Sequence, residues 1–258
     1  MKWYFCINAS GAERYSDHII AAVRSAKKNT DLTPICVCHD PQNTFPKNLE
    51  DFLLKNGVSI IRDESVIYRK LIDNKIHPDG FSLDVAAGAY LRFEVPRIET
   101  EDKFVLYTDC DVIFCPGFSL ESITNPKYFS CSPEFDYDNW SYFNSGVMII
   151  NIESMKLTYD SLISVAFERL KSGLHQSYDQ GDLNAFYWMA WNHLPPQFNW
   201  KPYWGINNSA KIIHFHGPKP KDIENIISGD TRFQILVDLF MRDRSSYEFY
   251  VEMYKNYL

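Results

Sequence analysis

The first two thirds of the chain alternate short apolar runs with helix-like segments, and this alternation limits the possible folds more than any other feature. Trp3 to Ile7 reads as a strand, Asp17 to Lys28 carries Ile20, Val23 and Ala26 at helical spacing, and Ile35 to Cys38 is a second strand. Lys47 to Asn56 places Leu49, Phe52 and Leu53 on one helical face, meets a helix-ending Gly57, and leads into a strand over Val58 to Ile61. Strands separated by helices are joined by crossovers, so the pattern predicts an α/β fold with a mostly parallel central sheet and helices on both faces. Ala86 to Arg97 is expected to be helical until Pro96 loosens its end. Phe104 to Thr108 (FVLYT) is apolar without alternation, as in strands buried on both faces, and Tyr142 to Asn151 has the same character before a helix over Ser154 to Leu170. Beyond these, a short helix is expected over Asp182 to Trp191, a strand over Lys211 to Phe215, and helices over most of Thr231 to Leu258.

Neither a fixed repeat nor a Gly/Ser-rich linker divides the 258 residues, which predicts a single domain. A net charge of −7 makes the chain a poor match for polyanions, so no nucleic-acid partner is expected. No apolar stretch approaches a membrane span, and the opening residues are too short for a signal peptide, so the expected location is cytoplasmic. Cys6, Cys36, Cys38, Cys110, Cys115 and Cys131 lack zinc-site spacing and read as reduced structural thiols, with Cys36 and Cys38 on one strand face.

Ligands of open α/β sheets sit at the carboxyl ends of the strands. Directly after FVLYT come Asp109, Cys110 and Asp111. Residues two apart in extended backbone point to the same side, so the two carboxylates converge. At a separation near ~4 Å their repulsion is about 4 kcal/mol at an effective dielectric of 20, which calls for a proton, an arginine or a divalent cation. Oxygen ligands of this kind suit Mg²⁺ or Mn²⁺. A second strand ends in His214, Phe215 and His216 and is followed by Gly217-Pro218-Lys219-Pro220-Lys221, a concentration of positive charge in an acidic chain that suits a diphosphate. Imidazole must be neutral to bind a metal, so activity is expected to fall as pH drops through the histidine range.

Five motifs in order resemble family 8 glycosyltransferases: Tyr90-Leu91-Arg92, Asp109-Cys110-Asp111, Phe143-Asn144-Ser145-Gly146-Val147, Asp179-Gln180-Gly181, and His214-x-x-Gly217 with a following Lys-Pro. They cover roughly Tyr90 to Lys221. The resemblance implies a GT-A nucleotide-diphospho-sugar transferase fold and a UDP-sugar donor carrying glucose or galactose. It also implies Mn²⁺ (or Mg²⁺) and transfer with retention to a glycan, lipid-linked or protein hydroxyl acceptor. Asp109, Asp111 and His214 match the metal ligands, and Lys219 the diphosphate lysine. Arg92 matches an arginine near the donor, Asn144 and Ser145 the sugar pocket, Asp179 the carboxylate holding donor hydroxyls, and Gln180 the residue below the anomeric carbon. Asn8 falls where the family binds the nucleoside, with Cys110 and Gly217 placed in the same donor-binding set. The implied division is a nucleotide-binding half over about 1–115, a donor-sugar and acceptor half over about 116–220, and C-terminal helices over about 221–258.

The chain departs from the family after the histidine, where it is one residue shorter and lacks a Trp, so the diphosphate lysine is Lys219 or, after a shift, Lys221. Asn8-Ala9-Ser10-Gly11 replaces the family's acidic stretch, which leaves the nucleotide base open. Gln180 is a weak nucleophile: either its amide oxygen assists behind the sugar, or the acceptor hydroxyl enters on the face the diphosphate leaves. Trp188, Trp191, Trp200, Tyr203 and Trp204 are acceptor-groove candidates, whereas Tyr247, Tyr250, Tyr254 and Tyr257 have the helical spacing of a packing stripe. The competing readings are a haloacid-dehalogenase-type phosphatase and a non-catalytic sugar-nucleotide or glycan binder. Oligomeric state stays open.

Overall fold

The computed structural model describes residues 1–174, 176–229 and 232–258. Its strands are β1 (Lys2–Asn8), β2 (Thr33–His39), β3 (Ser59–Arg62), β4 (Phe104–Thr108), β5 (Val112–Phe114), β6 (Phe129–Pro133), β7 (Phe143–Asn151), β8 (Asn192–His193) and β9 (Ile212–His214). Its helices are α1 (Ala9–Arg14), α2 (Ser16–Asn29), α3 (Lys47–Lys55), α4 (Val66–Asp73), α5 (Leu83–Ala89), α6 (Val95–Ile98), α7 (Ile152–Lys171), α8 (Tyr178–Phe186), α9 (Pro220–Ile227), α10 (Gln234–Arg242) and α11 (Arg244–Lys255). The seven-stranded central sheet runs β3-β2-β1-β4-β7-β6-β8, and β5 pairs with β9 in a small antiparallel ribbon. β1, β2, β3 and β4 are mutually parallel, as the βαβ alternation predicts. β7 runs against both β4 and β6.

The two-residue period of the strands sorts their side chains onto two helical layers. Tyr4, Cys6, Ile35, Val37, Val105 and Tyr107 face the layer of α4, α5, α7 and α8. Trp3, Phe5, Ile7, Cys36, Cys38 and Leu106 face α2 and α3. Cys36 and Cys38 thus share a face, and all six cysteines are buried free thiols. Four of the five FVLYT positions are buried, because β4 lies between β1 and β7 with helices above and below. The Trp3 indole donates to the Thr108 hydroxyl at 2.8 Å, tying β1 to the end of β4. Tyr247, Tyr250, Tyr254 and Tyr257 are buried in a third cluster with α9 and α10, as their spacing predicts.

Several boundaries differ from expectation for local reasons. The helix expected over Ala86 to Arg97 is α5, a 3-10 turn over Tyr90–Phe93, and α6, with Pro96 in the first turn of the last piece, where its missing N–H costs no hydrogen bond. The helix expected over Asp182 to Trp191 instead runs Tyr178–Phe186, so Asp179 and Gln180 belong to its first turn and not to the loop before it. Its polar opening looks like a loop in sequence, yet Asp179, Gly181 and Asp182 are buried, because the polar side of this helix faces the site. Between β3 and α5, where the apolar pattern gave no element, lies α4, capped by the Ser65 hydroxyl accepting from Tyr68 N–H at 3.4 Å. Of the C-terminal helices, Thr231 lies outside the described residues, and the helices cover Gln234–Arg242 and Arg244–Lys255.

Candidate active site

The ladder between β4 and β7 continues one residue past β4, with Asp109 N–H donating to Gly146 C=O at 2.8 Å. Asp111 follows at the start of β5, and register pairs Val112 with His214 at the end of β9, which carries the imidazole back onto the carboxylates. His214 Nε2 lies 3.3 Å from Asp111 Oδ1 and 3.7 Å from Asp109 Oδ2. One ligand atom from each of Asp109, Asp111 and His214 falls within 4.8 Å of the others, the spacing a single cation needs. Asp111 Oδ1 is buried without a hydrogen-bond donor, an acceptor arrangement that fits a metal. Gly146 lets the group close: a Cβ there would sit 2.2 Å from His214 Cε1 and 2.8 Å from Asp109 Oδ2.

The electrostatics favour neutral imidazole beside ionised carboxylate. Burial pushes the His214 pKa down, and nearby Asp111 and Asp109 only partly oppose it. Burial works to raise the Asp111 pKa, but the Lys219 ammonium beside it holds it well below the usual carboxylate range. Lys219 Nζ pairs with Asp111 and donates to Phe215 C=O at 2.7 Å, and its side chain lines the adjoining cavity. Lys221 is exposed on α9. Gly217, with φ of +88°, makes the reversal that brings Lys219 back, and a Cβ there would meet Leu239 Cδ1 at 2.7 Å.

Arg92, buried on the 3-10 turn, joins the second half of the site to the first. Its Nη2 donates to Asp109 Oδ1 at 2.9 Å and its Nη1 to Ser145 C=O and Oγ, both at 2.7 Å. Its Nε pairs with Asp179 Oδ2 at 2.7 Å, and the guanidinium stacks 4.7 Å over Tyr107. Burial, helped by Asp109 and Asp182 against the pull of Arg92, pushes the Asp179 pKa up to about 7. Gln180 Oε1 accepts from Ser145 N–H at 2.9 Å and from Asn144 Nδ2 at 3.1 Å. The cavity itself, about 320 Å³, is bounded by Asn8, Tyr15, Arg92, Asp109, Cys110, Asp111 and Lys219 among others. Asn144, Ser145, Asp179 and Gln180 are joined to this wall through Arg92 and sit outside the lining residues. Asn8 caps α1 by accepting from Gly11 N–H and donates to Asp84 at 2.7 Å, so its amide sits at the cavity edge with both ends engaged.

Some residues carried no usable signal in the sequence. Tyr107, whose hydroxyl donates to Asp109 Oδ1 at 3.2 Å, was readable by strand alternation alone, two residues before the motif. His216, two residues past His214, was readable in the same way, whereas Asp84, Glu134 and Asn199 were not, because each comes from a loop or a helix end. Glu134 pairs with His216 Nε2 at 3.0 Å, and Tyr203 OH meets His216 Nδ1 at 2.9 Å. Burial works against ionised Glu134, but His216 more than offsets it and holds the carboxyl at about 2. Of the five acceptor-groove aromatics, Tyr203 and Trp204 line a cavity of about 360 Å³ with Phe135, Tyr137 and Arg242. Trp200 stacks against Tyr137, Trp191 packs on Phe143, and Trp188 is 67% exposed.

The fold is the GT-A fold of solved glycosyltransferases. Galactosyltransferase LgtC, solved in complex with donor and acceptor sugar analogs, superposes with a TM-score of 0.64 at 18% identity, covering 92% of this chain and 95% of that one. Apo GlyE of Streptococcus pneumoniae TIGR4 gives 0.61 at 15% identity, covering 99% of this chain and 64% of that one. Mouse xyloside xylosyltransferase 1 gives 0.57 at 14% identity, covering 83% and 96%. General stress protein A of Bacillus subtilis (strain 168) is 25% identical over 175 residues, 61% of this chain, and the match spans 58% of that relative's length. The model for glycosyl transferase family 8 matches residues 123–221 of this chain. Among the described residues no helix is long and apolar enough to cross a membrane.

Proposed function

We propose that the protein transfers a hexose, glucose or galactose, from a UDP-sugar to a hydroxyl acceptor with retention of configuration, in a reaction that requires Mn²⁺ or Mg²⁺. The observation that carries this reading is the convergence of Asp109, Asp111 and His214 within 4.8 Å beside a cavity edged by Lys219 and Arg92. A divalent cation bound by these three residues supplies Lewis-acid charge for a departing diphosphate. Lys219, whose ammonium is retained against burial by Asp111, adds a second positive charge for the leaving group. Arg92 holds Asp109 and Asp179 in fixed positions and orients Ser145. The lone pairs of Gln180 Oε1 are taken by Ser145 N–H and Asn144 Nδ2, which favours entry of the acceptor hydroxyl on the same face as the departing diphosphate. The aromatic cavity at Tyr203 and Trp204 suits a glycan acceptor, since sugar faces pack on such rings.

Incubation with UDP-glucose or UDP-galactose and Mn²⁺ is expected to release UDP slowly without an acceptor, and Asp111→Ala is expected to abolish the release. Phosphate release from a simple phosphomonoester without UDP-sugar turnover would replace this reading by a phosphatase. Metal-dependent UDP binding without turnover on any acceptor would replace it by a binding protein.

A further inference from the structure

An unbroken series of side-chain amides connects His214 to Gln180. His214 Nδ1 lies 2.9 Å from Asn199 Oδ1, Asn199 Nδ2 donates to Asn144 Oδ1 at 2.8 Å, and Asn144 Nδ2 donates to Gln180 Oε1 at 3.1 Å. Asn199 and His214 are almost fully buried, so water does not compete for these bonds.

Two backbone donors fix the direction of every member. Gly146 N–H points at Asn144 Oδ1 at 3.0 Å, and Ser145 N–H at Gln180 Oε1 at 2.9 Å. Turning the Asn144 amide over would bring its NH₂ against Gly146 N–H, donor to donor. With Asn144 Oδ1 held as an acceptor, Asn199 must present its NH₂ there and its oxygen to the imidazole. The imidazole must then carry its proton on Nδ1, which leaves the Nε2 lone pair facing Asp109 and Asp111.

We propose that Asn199 is a positioning residue that sets the Nδ1–H tautomer of His214 and couples it to the orientation of Gln180, so that the cation site and the amide nearest the reacting sugar are aligned by one hydrogen-bonded chain. The role in sugar transfer rests on the function proposed above; the tautomer does not. Partners that orient a ligating imidazole are typically worth about 10–100-fold in metal affinity.

The test uses the full chain with Mn²⁺ alone as the probe. In nitrogen-edited NMR without metal, the His214 ring, assigned by its loss in His214→Gln, is expected to be protonated at Nδ1, and Asn199→Ala is expected to shift it toward Nε2–H. Mn²⁺ affinity, read by electron paramagnetic resonance, should fall about 10–100-fold in Asn199→Ala. Asn199→Asp still accepts from Nδ1–H but repels Asn144 Oδ1. It is therefore expected to keep Mn²⁺ affinity within a few-fold of wild type while kcat for UDP-glucose hydrolysis falls with little change in KM. Unchanged tautomer and Mn²⁺ affinity in a folded Asn199→Ala would overturn the proposal. If that variant does not fold, loss of Nδ1–H in Asn199→Asp would do the same. Absence of UDP-glucose turnover in the wild type, with the tautomer and metal results intact, would sink the transferase reading and leave the relay standing.

Discussion

The parallel and antiparallel halves of the sheet supply different chemistry to the same crevice. From the parallel half come ionised groups: Asp109 and Asp111 follow the carboxyl end of β4, and Arg92 reaches in from the turn packed against it. The antiparallel strand β7 contributes neutral groups, Asn144, Ser145 and Gly146, and does so from its beginning, because a reversed strand starts where its neighbour ends. Charge on one side and amides on the other let one face attract a cation while the other fixes geometry without adding net charge. A site built only from strand carboxyl ends would have to crowd every polar group onto four neighbouring loops.

If this division of labour holds, loss of one ionised group should outweigh loss of one amide. Asp111→Asn is expected to lower kcat/KM for UDP-glucose with Mn²⁺ by at least ~100-fold, whereas Asn144→Ala should cost less; the reverse order in steady-state kinetics would break the comparison. Gly146→Ala should approach the Asp111 effect despite adding one methyl group, since that methyl meets both His214 and Asp109. Calorimetric Mn²⁺ titration of the folded variant checks this. Lys219→Ala should reduce UDP affinity about 10-fold or more and Lys221→Ala less than about 2-fold, because only Lys219 faces the cavity and pairs with Asp111.

Smaller effects come from protonation. The folded His214 pKa is depressed by burial, so below the ordinary histidine value the unfolded chain binds a proton that the native ring does not. Stability is therefore expected to fall as pH drops from about 6.5, while activity persists somewhat below that point before declining. Urea midpoints and kcat/KM across the acid range measure both, and an activity loss already complete at about pH 6.5 would contradict His214 as a metal ligand. Lys201 sharpens the comparison from outside the crevice. Burial lowers its pKa to about 7, and its ammonium donates to Pro133 C=O at 2.6 Å with the Trp204 ring 4.2 Å away. Between pH 7 and about 10 the unfolded chain holds a proton the native lysine has released, so stability should rise with pH in that window. Lys201→Met should flatten the rise in the same urea series.

Legibility in the sequence followed the same division. The parallel half could be read from apolar runs, and the rule that ligands gather at strand carboxyl ends led directly to Asp109 and Asp111. β7 has an equally apolar run, but hydrophobicity does not encode strand direction, so its opening residues entered through the family motif and not through the topological rule. Asp179 and Gln180 were placed ahead of a helix that in fact contains them, because the periodicity signal rests on apolar residues and the site-facing side of α8 is polar. Asn199 had no local signature at all. Its importance depends on lying between two side chains distant in sequence, which only the folded chain brings together.

The six buried thiols have a practical consequence. Cys36, Cys38, Cys115 and Cys131 lie wholly in the packed interior, while Cys6 and Cys110 border the cavity beside Asp109 and Asp111. A thiol-specific reagent therefore distinguishes two events. Slow modification at the four interior positions clocks the opening of the whole molecule, and any faster reaction at the remaining two, slowed when the cavity is filled, reports occupancy without a labelled substrate.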